Sequence, residues 1–330
     1  MSDSSTQYGR RASLFVIRPE FRGNNPSAFV PEGVIDLSAM HFTFKTSAAD
    51  QESPNNAVIR VFNLSRSAQQ NTVQDIIKGE YSRVILQAGY EKGEFAVIFD
   101  GNVKQFRVGR LNATDTYLDL LCADGDLGYN FSQISQSIAA GSTPKQRIDA
   151  IVASMQKYGV TAGSIAPSTG GTLPRGKVLF GMSRAMLRQQ AVTQAATWSI
   201  QNGKINMIPL DGYLPSDPVT LNSLNGMIGM PEQTNDGIKV KCLLNPKILA
   251  GQSVRIDNQS VNQTIQANPN AAPVPFNQWS GIQLLADVTS DGLYRVFVAE
   301  HEGDTRGQTW YTEMTCLSID AVSKEIKPYG

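Results

Sequence analysis

Histidine is nearly missing from this sequence. Two are present in 330 residues, beside three widely separated cysteines and equal numbers of Lys+Arg and Asp+Glu. Each shortage closes off a class of function. His41 and His301 have no neighbouring ligands at zinc spacing, and no Cys-x-x-Cys pair occurs. Cys122, Cys242 and Cys316 are odd in number and sit in apolar, strand-like contexts. That pattern fits buried free thiols in a reducing compartment rather than a disulfide framework. A net charge of zero argues against duplex nucleic acid or an anionic membrane as partner, and the basic residues form no stripe. No run of about 18 apolar residues is present to span a membrane. The polar start MSDSSTQYGRR lacks the apolar segment of a signal peptide.

Catalytic patterns are equally scarce. The sequence has no Gly-x-Ser-x-Gly elbow, no Walker loop and no Gly-x-Gly-x-x-Gly. Gly170-Gly171 lies in a loop with no strand before it and no helix directly after it. Glu300-His301-Glu302-x-Asp304 is the one acidic cluster around a histidine. It falls at a strand end and turn, where the i, i+4 geometry of a helical zinc site is not available. His41 falls in a strand pattern. Paired carboxylates for glycoside cleavage are neither excluded nor promoted. The sequence therefore assigns no catalytic, cofactor-binding or metal residue, and no cofactor.

What is present is a repeat. Asp291–Asp320 reads as a β-hairpin, with strand formers at Leu293, Tyr294, Val296, Phe297 and Val298, turn residues at Gly303-Asp304 and Arg306-Gly307, and renewed alternation from Trp310. Asp100–Asp124 is a fainter copy. Both begin Asp-Gly. Both end on one pattern, Tyr117-x-Asp119-Leu120-x-Cys122 and Tyr311-x-Glu313-Met314-x-Cys316. Each follows a short strand, Val84-Ile85-Leu86 or Val254-Arg255-Ile256. Such similarity implies one small β-domain used twice, with Cys122 and Cys316 equivalent.

Between the copies the periodicity changes. Thr143, Pro144 and Gln146 form a capping box with a first-turn proline, and Ile148, Ile151, Val152 and Met155 fall on one helical face that Gly159 ends. Ser183 caps a second predicted helix with Leu187, Ala191, Ala195 and Trp198 on one face. A further helix is expected from Arg66 to Lys78, with Ser65 as its N-cap. Residues 257–281 are an Asn/Gln/Pro-rich loop, expected to be a contact surface or mobile.

Several separated runs resemble the baseplate hub proteins of contractile-tailed phages. They are Gly229 to Pro246 (GMPEQTNDGIKVKCLLNP) with Gly251 and Val254-Arg255-Ile256, then Gly292-Leu-Tyr-Arg-Val, His301-x-Gly-Asp-Thr-Arg-Gly307 and Trp310-Tyr-Thr-Glu313. Val61-Phe-Asn-Leu-Ser65 and Leu86-Gln-Ala-Gly-Tyr90 are similar to the first tube-type domain of such hubs. The resemblance implies a mainly β fold with α (α+β), in which two tail-tube-like β-sandwich or barrel domains flank a small helical one. The expected bounds are 1–126, 127–199 (mostly helical) and 200–330, the last carrying the 257–281 loop. It implies a non-enzymatic homotrimer in the tail baseplate of the virion, assembled in the host cytoplasm. Three chains of two β-domains would form a six-domain ring joining a sixfold tail tube, or its adaptor, to a threefold central spike, beside other baseplate proteins. Two rivals stand: a tail-associated peptidoglycan hydrolase on the same scaffold, and a host-surface adhesin. The missing catalytic motif counts against the first. The missing signal peptide and the duplication count against the second.

Overall fold

The computed structural model describes residues 7–17, 34–65, 82–166, 170–222, 225–234, 237–256 and 292–318. The helix expected at 66–78 and the loop at 257–281 lie outside the described residues.

Alternating apolar residues build the first group of strands: β1 (Arg10–Ile17), β2 (Val34–Asp36), β3 (Phe42–Ala49), β4 (Asn56–Phe62), β5 (Arg83–Tyr90), β6 (Phe95–Arg110) and β7 (Thr116–Ala123). The middle of the chain holds α1 (Asp126–Phe131), β8 (Gln133–Ile138), α2 (Pro144–Met155), β9 (Thr161–Ile165), β10 (Lys177–Met182), α3 (Ser183–Thr193), β11 (Ala196–Gln201) and β12 (Lys204–Pro209). The last group is β13 (Val219–Leu221), β14 (Met227–Thr234), β15 (Gly237–Leu243), β16 (Ser253–Ile256), β17 (Leu293–Asp304) and β18 (Trp310–Ser318). The protein is mainly β, and one largely antiparallel sheet runs through both outer groups.

The strand order is used twice. β3, β4, β7, β6 and β5 neighbour one another in that order, and β14, β15, β18, β17 and β16 repeat it in the same chain sequence. The register repeats as well. Cys122 lies between Ala57 and Val103, and Cys316 lies between Ile238 and Val296. Immediately after those partners each hairpin carries a one-residue bulge, at Lys104 in β6 and at Phe297 in β17. Even a backbone bond recurs: the Val103 amide donates to Ser82 at 2.9 Å and the Val296 amide to Gln252 at 2.8 Å. The shared Asp-Gly start does not survive. Asp100-Gly101 lies inside β6, and Asp100 is equivalent to Leu293, because they face Ile85 and Arg255 of the matching strands.

The middle segment departs from its expected description. Helix α2 has the capping box, with the Gln146 amide donating to Thr143 Oγ1 at 3.2 Å and the Thr143 amide to Gln146 Oε1 at 2.9 Å. Its face of Ile148, Ile151, Val152 and Met155 is buried. The rest is not mostly helical. β8 pairs β10, and β9, β11 and β12 form a second small sheet. The expected boundary at 199/200 falls inside β11. Ser183 opens α3 without capping it, since its hydroxyl lies 2.7 Å from those of Ser132 and Ser154. Ala195 leaves the helix at φ 47, and Trp198 reaches the same core from β11.

Among the described residues three apolar cores result, one under the first copy, one in the middle and one under the second copy. A buried ion pair ties them together. Arg295 on β17 meets Asp50, just beyond β3, and donates to Thr197 Oγ1 at 2.8 Å and to the carbonyls of Pro209 and Gly212 at 3.0 and 3.2 Å. Burial pushes the guanidinium down to about 10. Breaking a buried pair strands the remaining charge. Asp50→Ala is expected to cost about 3–5 kcal/mol, read as a lower denaturant midpoint. An unchanged midpoint would remove the pair from its joining role.

Candidate functional site

The acidic cluster around His301 does not converge. Strand alternation sends its members to opposite sides of β17. His301 faces inward, 2% exposed, with Nδ1 2.9 Å from Thr312 Oγ1. Glu300 and Glu302 lie on the other face, where Glu300 is 3.5 Å from Lys45 on β3. Asp304 closes the turn after β17 by accepting from the Arg306 and Gly307 amides at 2.9 and 2.8 Å. It also meets His41 Nε2 at 2.9 Å, a pairing across 263 residues that the sequence reading missed when it gave His41 only a strand role. Partial burial pushes the Asp304 carboxyl up, but those two amides and His41 outweigh it and hold it below the usual range. Glu300, His301, Asp304 and His41 each have a structural partner. Among the described residues no group of three or more His, Cys, Asp or Glu is placed to hold a metal ion. The three cysteines are buried and free.

The feature that stands out is where pairing stops. β17 uses its two halves differently: Leu293–Arg295 pairs β16, and beyond the bulge Val298–Asp304 pairs β3 of the first copy. That seam joins the two copies inside one chain. It is packed tightly. Phe44 meets Trp310 edge-on at 5.6 Å between centroids, and a Cβ on Gly303 would lie 2.3 Å from the Phe44 ring, so only glycine fits there. β6, the equivalent of β17, pairs β5 up to Asn102 and then continues to Arg110. Among the described residues, that continuation has β7 on one side and no strand on the other. Among the described residues β14 likewise has a strand, β15, on one side and none on the other. Exposed apolar residues mark both edges, Val108 at 52% and Leu111 at 59% near one, Met230 at 60% and Ile228 at 36% on the other.

The outer face of the sheet is a lattice of neutralised charge. Arg60 donates from Nε and Nη2 to the two oxygens of Asp119 at 2.6 and 2.9 Å while lying 4.3 Å over the Tyr117 ring. The second copy repeats the triplet, with Lys241 donating to Glu313 at 2.6 Å and lying 4.6 Å over Tyr311. This explains the Tyr-x-acid pattern before each cysteine.

A duplicated β-protein with one seam made and two edges open is the class these features define. The fold is that of phage tail proteins. The chain superposes on the tail protein from Neisseria meningitidis MC58 with TM-score 0.57 at 11% identity, covering 96% of this chain and 99% of that one. The 43 kDa tail protein of prophage MuSo2 from Shewanella oneidensis gives TM-score 0.57 at 7% identity, again over 96% and 99%. No family profile and no curated protein sequence matches the chain.

His301 supplies a pH test of the seam. Burial, partly offset by the Ile248 backbone, pushes its imidazole down to about 4 from about 6.5 unfolded. A lowered histidine favours the folded state above the unfolded value, and that contribution is lost as pH falls from about 6.5 towards 4. At about 1.4 kcal/mol per unit, roughly 3 kcal/mol should disappear across the window. His301→Asn should flatten the slope of unfolding free energy against pH there. Equal slopes in both proteins would show that His301 does not titrate with folding.

Proposed function

We propose that the chain is a structural tail protein, the baseplate hub of a contractile phage tail or related particle. One observation carries the reading. The repeated unit is joined to its twin through β17 and β3, while among the described residues the equivalent strands β6 (beyond Asn102) and β14 have no strand on their other side. Repeating that join head to tail between chains would close three chains into a ring, because a closed cyclic assembly leaves no edge free. Each chain contributes eight strands to such a ring, β14, β15, β18, β17, β3, β4, β7 and β6. The wall would then have twenty-four strands in six near-equivalent sets.

In this reading the two tube-like β-domains flank the α/β middle segment, which sits outside the wall. Six similar sets suit a sixfold tail tube or its adaptor. The threefold repeat of the whole chain suits a trimeric central spike, and other baseplate proteins would dock on the periphery. The protein is non-enzymatic and belongs to the virion, assembled in the host cytoplasm. The tail-protein fold of the two structural relatives supports it, as does the structural use of Glu300, His301, Asp304 and His41.

Sedimentation velocity with and without a spike protein tests the proposal. A trimer, seen as threefold rings with a central hole by electron microscopy, is the expected result. A strict monomer under both conditions, well above micromolar concentration, would overturn it.

A further inference from the structure

Register turns the two open edges into a specific prediction about partner choice. β6 residues map onto β17 by the shared bulge: Arg107 onto Glu300, Val108 onto His301, Gly109 onto Glu302 and Leu111 onto Asp304. β14 maps onto β3 through their partners. Lys45 faces Val58, which faces Leu121; Glu232 faces Lys239, which faces Thr315, the equivalent of Leu121. Glu232 therefore occupies the place of Lys45, and by the same route Thr234 that of Ser47 and Ile228 that of Thr43. In the made seam the charged contact is Glu300 with Lys45. In the open seam the same two places hold Arg107 and Glu232, both exposed. The contact is kept and its charges are exchanged.

We propose that residues 107–111 pair antiparallel with residues 228–234 of a second copy of this chain, with Arg107 opposite Thr234 and Gly109 opposite Glu232, so that Arg107 reaches Glu232 on the diagonal as Glu300 reaches Lys45, and that the exchanged charges dictate which edges meet. The inference rests on the ring reading and adds its register and selectivity. β6 meeting β3 would set Arg107 against Lys45, and β17 meeting β14 would set Glu300 against Glu232. Like charges so placed suppress the wrong partner more strongly than they lower affinity for the right one. First and second copies must then alternate around the ring. Leu111 comes opposite Ile228, and Val108 is covered as His301 already is in the made seam. Pairing is continuous at Glu232–Thr234 and resumes at Ile228 beyond the irregularity at Gly229–Pro231.

The test uses the full chain. Arg107→Glu and Glu232→Arg, each at an exposed position, should raise the concentration at which trimers dissociate by roughly tenfold or more, and the double reversal should recover most of that loss. In parallel, Leu111→Cys with Ile228→Cys should form an intermolecular disulfide on oxidation, while Leu111→Cys with Glu232→Cys, out of register, should not. Wild-type trimers that ignore both reversals and give no in-register cross-link would overturn this register while leaving the ring reading intact. A wild-type monomer would overturn both.

Discussion

One inserted residue in each long hairpin strand governs the architecture. A bulge bends its strand and increases the local twist. At Phe297 the bend lets β17 serve β16 with one half and β3 with the other. The Asp50 amide donates to the Phe297 carbonyl at 2.9 Å, so the inserted peptide is held by the strand it admits. At Lys104 the same bend carries β6 past β5 into a free extension, and the Lys104 ammonium is turned to Asp126 at the start of α1, 2.9 Å away.

Buried polar groups fix the middle segment to this frame. Asp50 and Arg295 anchor β11 and β12 at one place. Asp124, just past β7, accepts from the amides of Asn202 and Gly203 in the β11–β12 turn, the latter at 2.8 Å. Burial raises the Asp124 carboxyl well above its ordinary range even though both amides favour its charge. Buried charges with several directional partners define geometry more sharply than apolar packing does. Two such anchors, the Asp50–Arg295 pair between the copies and Asp124 on the first, set the orientation of the middle unit.

Local signals were legible in the sequence and long-range pairing was not. The capping box of α2 and its buried face follow from residues within one turn of each other. The Tyr-x-acid-x-x-Cys repeat was visible because it encodes a cation over a ring and an ion pair on one sheet face, side-chain rules with period two. β14 was passed over because Gly229 and Pro231 interrupt its alternation, yet an edge strand tolerates both. β8 is Gln-Ile-Ser-Gln-Ser-Ile, too polar to announce itself, and it is made a strand by β10. Aligning the copies on Asp-Gly misplaced the start of the repeat by two residues, because turn dipeptides recur by chance while a bulge shared in register does not. The His41–Asp304 contact and the β17–β3 seam join residues more than two hundred apart, which no window of sequence encloses.

The made seam and the open edges are built from equivalent strands with different side chains, and the difference has a physical consequence. Inside the chain, Gly303 lets Phe44 and Trp310 interlock, and Asp304 holds His41 at the end of the strand. At the equivalent places around the open edges stand Arg110 and Leu111, with Thr116 in place of Trp310. A seam with a buried aromatic pair forms with the fold and stays formed. A seam built from an exposed ion pair and a few aliphatic contacts is weaker and concentration-dependent. The chain can therefore complete its own fold first and keep its outer edges for a later step. In a ring built this way, alternate joints would differ in stiffness. The symmetry of the whole would be threefold even where the backbone approaches sixfold.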